Sequence, residues 1–194
     1  MTRLLDIIFS FIGLLLLSPL FIILYCAICI ESKGGGFYAQ QRIGRYGKPF
    51  RLYKFRSMRT GADRGSLITI GEDNRITKSG KFIRKYKLDE LPQLFNVLRG
   101  DMSLVGPRPE VEKYVKLYTD EQRRVLDVRP GITDYASIEY ANENDLLAKS
   151  DDPEKTYIEE IMPDKIRLNM RYITHSTTSE YFKVIFLTLF KIVK

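Results

Sequence analysis

K-L-D-E-L-P-Q-L-F-N-V-L-R-G-D-M-S-L-V-G-P-R-P, residues Lys87 to Pro109, holds the patterns from which the rest of the chain is read. Leu88, Leu91, Leu94 or Phe95, and Leu98 recur every three or four positions, which predicts a short helix with one side against a core. Asp89 falls where an N-cap belongs and Glu90 follows it. Pro92 falls in the first turn, where a missing N–H costs nothing, and Gly100 supplies the stop. The free N–H groups of such a helix start hold Asp89 as a carboxylate and would equally accept a phosphate oxygen. Two readings stay open. An Asp-Glu pair at a helix start is more often a cap than a catalyst, yet two carboxylates beside an anion site are what a metal-assisted phosphoryl transfer requires. Downstream, Pro107 and Pro109 fix their own φ and push Gly106 and Arg108 away from helical geometry, so Arg108 becomes a rigidly held guanidinium suited to forked phosphate recognition.

These residues resemble the signature of the bacterial sugar transferases, the monotopic phosphoglycosyl transferases that start glycan assembly on a polyprenyl phosphate carrier. The likeness extends through Y-K-F-R-S-M (Tyr53 to Met58), N-R-I-T-K-S-G-K-F-I-R-K (Asn74 to Lys85) and V-R-P-G-I-T (Val128 to Thr133). It implies the small single-domain form, with no extra membrane module in front. It further implies transfer of a sugar 1-phosphate from a UDP-sugar to polyprenyl (undecaprenyl) phosphate with release of UMP. In that scheme Asp89 is the nucleophile, forming a covalent aspartyl phosphosugar, and Glu90 helps Asp89 bind Mg²⁺. Lys54, Arg84, Arg108 and Arg129 hold phosphate oxygens. One segment departs from the common pattern. Where many relatives continue G-W-A-Q-V-N-G-R, this chain has Asp134 to Tyr140, D-Y-A-S-I-E-Y, expected to shape the choice of sugar or nucleotide.

Upstream, Ile7 to Ile30 carries no charge and as a helix would cross a hydrocarbon core of about 30 Å. The run is too long for a cleavable signal peptide, and no A-x-A site follows it. Ser18-Pro19 lies at its middle and predicts a kink. A kinked single-pass helix is the physical default. The resemblance implies instead a re-entrant anchor that turns back at Ser18-Pro19, in the bacterial inner membrane, with the catalytic domain on the cytoplasmic face. Arg3 and the basic stretch after the segment fit that orientation. Cys26 and Cys29, in C-A-I-C, lie inside the apolar run with no histidine near and read as small hydrophobes.

After a glycine-rich exit at Glu31 to Gly36, Gly44, Gly47 and Pro49 mark a turn between two β-rich runs, predicting a hairpin. Arg42, Arg45, Lys48, Arg51, Lys54, Arg56 and Arg59 interleave there with Tyr38, Tyr46, Tyr53 and Phe55. Such a mixture can bind single-stranded nucleic acid. Directly after a membrane segment, a solvated or headgroup-facing surface is the simpler account, with no nucleic-acid partner. Thr60 to Asp73 reads as a mobile connection. Ser79 is expected to cap a helix through Lys87, with Phe82 and Ile83 inward. Val111, Val115, Tyr118 and Val125 offer a partial apolar face, while Asn142 to Ile161 is acidic, helix-prone and read as solvated. The tail from Ser179, apolar but broken by lysines, reads as a helix lying in the membrane interface, with a core helix as the alternative.

The 194 residues leave room for one compact domain beyond the anchor, and a formal charge of +7 points to anionic partners. His175 is the single histidine, which rules out a histidine-rich metal site and argues against a Ser-His triad. The expected fold is therefore α+β, mainly helical. Residues 1–33 form a kinked re-entrant membrane helix, and 34–194 a compact catalytic domain with a small β-hairpin and interfacial amphipathic helices. The expected partners are a UDP-sugar, polyprenyl phosphate and membrane lipids. A non-catalytic, membrane-tethered binder of acidic lipids is the competing function.

Overall fold

A computed structural model describes residues 2–62 and 73–193, so most of the connection expected between Thr60 and Asp73 lies outside the described residues. The first helix, α1 (Thr2–Glu31), is the one helix among them long and apolar enough to cross a membrane. Pro19 lies inside it and has no N–H to offer the carbonyl of Leu15; the Ser18 hydroxyl donates to that carbonyl instead, at 2.8 Å. The Ser-Pro pair thus removes one rung of the ladder and supplies a substitute, and helical conformation continues on both sides of it.

One stripe of α1 faces the rest of the chain. Arg3, Asp6, Ser10, Gly13, Leu17, Phe21, Leu24, Ile28 and Glu31 follow one another at steps of three and four, the spacing of one helix face. The opposite side exposes Ile8, Phe11, Leu15, Leu16, Ile22, Ile23 and Ile30. Both ends are fastened. Arg3 donates to the carbonyls of Val97 (2.6 Å) and Leu98 (3.1 Å), and Glu31 accepts from the backbone N–H groups of Lys78 (2.6 Å) and Ser79 (2.8 Å). Asp6 is only 2% exposed, and its carboxylate accepts from the Ser103 hydroxyl, the Leu104 N–H and the Tyr181 hydroxyl, each at 2.9 Å. Replacing Asp6 by Ala takes the acceptor from those three donors, of which the Tyr181 hydroxyl belongs to a fully buried residue and the other two to half-buried ones. The expected loss is about 2–3 kcal/mol of stability, read as a lowered unfolding midpoint in detergent micelles.

The expected hairpin forms from β1 (Phe37–Ile43) and β2 (Pro49–Phe55), antiparallel with Tyr38 opposite Lys54. Its turn places Tyr46 at φ 60° and Gly47 at φ 71°. Two arginines of the basic run read as a solvated or headgroup-facing surface turn instead onto backbone carbonyls. Arg56, 7% exposed, donates to the carbonyls of Ser32 and Lys33 just beyond α1, where a cation suits the negative helix end. Arg42 donates to the carbonyl of Pro109 at 3.1 Å.

α2 (Lys78–Lys85) starts two residues earlier than expected for its cap. Thr77, not Ser79, accepts from the Gly80 N–H at 3.0 Å, because Ser79 is engaged by Glu31. Ile83 is buried, but Phe82 is 55% exposed and lies against Tyr86 instead of turning inward. Leu88–Glu90 form a 3₁₀ turn, and α3 (Gln93–Arg99) begins only after Pro92, so Asp89 is not its N-cap. The buried side of α3 is also not the leucine stripe alone: Gln93, Asn96 and Val97 are buried while Phe95 is exposed. Asn96 acts as an extra partner for β2, donating to the carbonyl of Arg51 at 2.7 Å and accepting from the Tyr53 N–H at 3.0 Å. Gly100 ends the helix at φ 93°, as its position predicted.

A second sheet was not anticipated. β3 (Ser103–Val105) and β4 (Gly131–Thr133) pair in parallel, bringing V-G-P-R-P against V-R-P-G-I-T. Between them α4 (Glu112–Val115) and α5 (Asp120–Arg123) bury Val115, and the flanking Val111, Tyr118 and Val125 join the same core, as the apolar spacing predicted. That core continues into the C-terminal layer: α6 (Tyr135–Glu139), α7 (Glu143–Ala148), α8 (Pro153–Thr156), a π turn at Tyr157–Ile161, and α9 (Met162–Thr174). In α10 (Thr178–Val193), Tyr181 and Val184 are fully buried and Phe182, Phe186 and Leu189 are exposed. The buried side fits the core-helix alternative read from its sequence, the other side is apolar and exposed, and Thr177 rather than Ser179 accepts from the Glu180 N–H at its start. Among the described residues the architecture is α+β and mostly helical, with two small sheets.

Candidate active site

Lys87, at φ 55°, reverses the chain at the end of α2 and starts the turn that carries Asp89 and Glu90. Leu88 and Leu91, on either side of the pair, pack into the apolar cluster formed by Phe21, Leu24, Ile28, Phe55 and Ile83. The acidic pair is therefore anchored directly to the second half of α1. Lys54, from β2, places its Nζ 3.1 Å from Glu90 Oε1 and 3.8 Å from Asp89 Oδ2. Arg108 forks onto Glu90, with Nη2 at 2.5 Å from Oε1 and Nη1 at 3.2 Å from Oε2. This is the two-pronged geometry in which arginine binds carboxylate or phosphate.

Electrostatics separates the two acids. Burial pushes the Asp89 carboxyl above the usual aspartate range, with Lys54 opposing it and Glu90 adding to it. Burial would also raise Glu90, but Arg108 and then Lys54 outweigh it and hold that carboxyl well below its usual range. Glu90 in return raises Arg108, while burial lowers Lys54 against the attraction of Glu90. Glu90 is thus a fixed anion shared by two cations. Asp89 is the less encumbered carboxylate, and two groups with divergent affinities for a proton are what divides catalytic roles between neighbours.

Of the sequence candidates, Lys54, Asp89, Glu90 and Arg108 form one cluster. Arg84, half-buried on α2, contributes its positive charge at Asp89 but makes no hydrogen bond to it. Arg129 is placed elsewhere: its Nε donates to the Gly100 carbonyl at 3.0 Å, at the end of α3. Sequence reasoning missed the residues that hold the Pro107–Glu110 loop. Arg42 lies 3.6 Å from Glu110, and Tyr157 of the π turn donates to the same carboxylate. The Gly131 N–H donates to the Pro107 carbonyl at 3.0 Å, and Asp134 accepts from the Arg108 N–H at 2.9 Å. Asp134 had a readable signal, since it caps α6 through the Ser137 N–H. The pairing of Tyr157 with Glu110, 47 residues away in sequence, had none. In the acidic segment, Glu143 is not simply solvated; it pairs with Lys165, 9% exposed, at 2.8 Å.

Among the described residues no group of three or more His, Cys, Asp or Glu side chains gathers around a metal position; Asp89 and Glu90 offer two adjacent carboxylates, and Mg²⁺ commonly takes one or two carboxylates and completes its shell with water and substrate phosphates. Lys54 and Arg108 hold Glu90 between them, and Arg84 adds its positive charge on the side of Asp89.

The family described as bacterial sugar transferase matches the chain over residues 1–194. A Klebsiella pneumoniae protein named UDP-glucose:undecaprenyl-phosphate glucose-1-phosphate transferase is 40% identical over 194 residues, covering 97% of this chain and 39% of its own. The galactosyl transferase CpsE of Streptococcus agalactiae is 41% identical over 200 residues, covering 96% and 41%. A Bacillus subtilis protein, provisionally named as an undecaprenyl-phosphate N-acetylgalactosaminyl 1-phosphate transferase, is 46% identical over 120 residues, covering 61% and 67%. The chain thus spans less than half the length of two of these three relatives. With its four clustered site residues drawn from the stretches that the family signature resembles, and a match that runs from end to end, this chain belongs to the bacterial sugar transferase family.

Proposed function

We propose that the protein transfers a sugar 1-phosphate from a UDP-sugar to a polyprenyl phosphate, releasing UMP, and so begins assembly of a membrane-borne glycan. The observation that carries this reading is the division of labour at one turn, where Asp89 is a buried, lightly paired carboxylate beside a Glu90 clamped by Arg108 and Lys54. In the first step an oxygen of Asp89 attacks the β-phosphorus of the donor. The bond from that phosphorus to the bridging oxygen breaks, UMP leaves with the electron pair, and an aspartyl phosphosugar forms. In the second step a phosphate oxygen of the carrier attacks the same phosphorus, the acyl phosphate bond breaks, and the Asp89 carboxylate is regenerated. Two steps let a soluble donor and a lipid acceptor use one site in turn. Lys54, Arg84 and Arg108 steady phosphate oxygens, and Arg129 serves at a greater remove through the loop of β4. Asp89 and Glu90 would hold Mg²⁺, which when bound neutralises diphosphate charge and eases departure of UMP.

Residues 1–33 act as the anchor and 34–194 as the catalytic part, on the cytoplasmic face of the inner membrane. Support for a re-entrant rather than a crossing helix comes from the fastening of both ends of α1, at Arg3 and Glu31, to one folded body. A helix of about 45 Å that crossed the bilayer would carry one end away from it. The exposed apolar side of α1, with Phe182 and Phe186 of α10, would meet lipid. Incubating the full chain with Mg²⁺, undecaprenyl phosphate and UDP-glucose, UDP-galactose or UDP-N-acetylgalactosamine is expected to release UMP with at least one donor. The three sugars follow the names of the relatives. Silence with every donor, from protein that binds undecaprenyl phosphate, would favour a non-catalytic lipid binder.

A further inference from the structure

Asp134 opens the segment where the sequence leaves the common family pattern, yet it is among the most enclosed polar residues of the chain, 1% exposed. Both oxygens of its carboxylate accept hydrogen bonds. Oδ2 accepts from the backbone N–H of Arg108 at 2.9 Å and from Asn169 Nδ2 at 2.9 Å, and Oδ1 accepts from the Ser137 N–H at 2.5 Å. The first of these bonds reaches the site, because the same Arg108 forks onto Glu90. The second reaches away from it, to a residue of α9 that is itself 5% exposed. A continuous line of hydrogen bonds therefore runs from α9 through Asp134 and the Arg108 backbone to the acidic pair.

We propose that Asp134 is a positioning residue for the phosphate site, setting the Arg108 backbone so that its guanidinium meets the oxygens of Glu90 and the donor diphosphate. The inference rests on the function proposed above. Proline on both sides of Arg108 restricts its backbone, but φ and ψ alone do not fix where the loop sits in the fold. Location needs an external tie. The N–H of Arg108 is the one backbone donor of its Pro-Arg-Pro tripeptide, since proline has none, and Asp134 takes it. A carboxylate is required because three donors converge on it. An amide in its place would present an NH₂ to at least one of them. The negative charge of Asp134 also favours the charged form of Arg108, after the larger effect of Glu90.

The test is a double-mutant cycle on the full chain in detergent, read as UDP affinity by calorimetry and as kcat/KM for UMP release. Asp134→Asn alone is expected to weaken UDP binding about tenfold and to lower kcat/KM up to about a hundredfold, the range a small misplacement can produce. Asn169→Ala, which keeps the Arg108 bond and the α6 cap, is expected to show a smaller loss of the same sign and secures the test should Asp134→Asn fold poorly. Arg108→Ala removes the group being positioned. In its background neither substitution should cost anything further in UDP affinity, because Asp134 acts only through Arg108. Effects that simply multiply in the double variants would mark Asp134 and Asn169 as ordinary structural residues and overturn the inference. An inactive wild type would instead count against the proposed transferase reaction, so the two failures are distinct.

Discussion

Replacing Asp89 by Asn is expected to lower UMP release by on the order of a thousandfold or more and to abolish the sugar-phosphate adduct found by mass spectrometry of quenched, donor-loaded protein. The substitution keeps the shape of the side chain and an oxygen for Lys54, and it leaves the bond set of Glu90 with Arg108 and Lys54 untouched. The site should stay assembled and UDP binding should survive, so the loss falls on the chemistry: an amide oxygen is too weak a nucleophile to displace UMP. The acid limb of the pH profile follows from the same burial. Asp89 must be ionised to attack, and burial raises its affinity for a proton despite Lys54. Activity is therefore present above a pKa displaced upward from the ordinary aspartate value and is lost as the pH falls through it. Glu90, held well below its usual range, stays ionised across that window and adds no second limb there. Normal turnover by Asp89→Asn, without an adduct on the wild type, would remove the nucleophile from the scheme.

The site residues legible in the sequence were those whose roles are set within a few positions. Asp89 and Glu90 share a turn, Gly100 ends a helix at positive φ, and Gly44, Gly47 and Pro49 bend a hairpin. Local rules failed where a distant partner outbid the local one. Ser79 was available as a cap, but the Glu31 carboxylate from the end of α1 claims it, and Thr77 caps instead. Arg42 and Arg56 look like surface charges in a basic run, yet each donates to backbone carbonyls brought to it by the fold, in a proline loop for Arg42 and just past the end of α1 for Arg56. Asn96 was hidden in a helix read for its leucines, because nothing local shows that a strand edge of β2 would lie beside it. The parallel pair of β3 and β4 is the extreme case: three-residue strands carry almost no periodic signal, and only their glycines hint at what they do.

That hint yields a prediction with a large effect on stability. A Cβ on Gly131 would lie 2.1 Å from the N atom of Gly106 and 2.5 Å from its O, and one on Gly106 would lie 2.5 Å from the carbonyl oxygen of Arg129. The obstacles are backbone atoms of the opposing loop, so no flexible side chain can swing aside. Gly131→Ala must therefore drive β3 and β4 apart, straining the bonds from the Gly131 N–H to the Pro107 carbonyl (3.0 Å) and from the Gly106 N–H to the Thr133 carbonyl (3.0 Å). The expected cost is about 3 kcal/mol or more, at the upper end of what overpacking produces. The damage should also be local in a telling way. Pro107 adjoins Arg108, so whatever Gly131→Ala protein remains folded should bind UDP more weakly than the wild type. Gly35→Ala is the control, since its Cβ would meet nothing within 4 Å and the backbone there is not left-handed. Unfolding midpoints and UDP titrations of the two variants side by side decide the matter. If Gly131→Ala behaved like Gly35→Ala, the two loops would not be in backbone contact, and the tie between β4 and the phosphate loop would be lost with it.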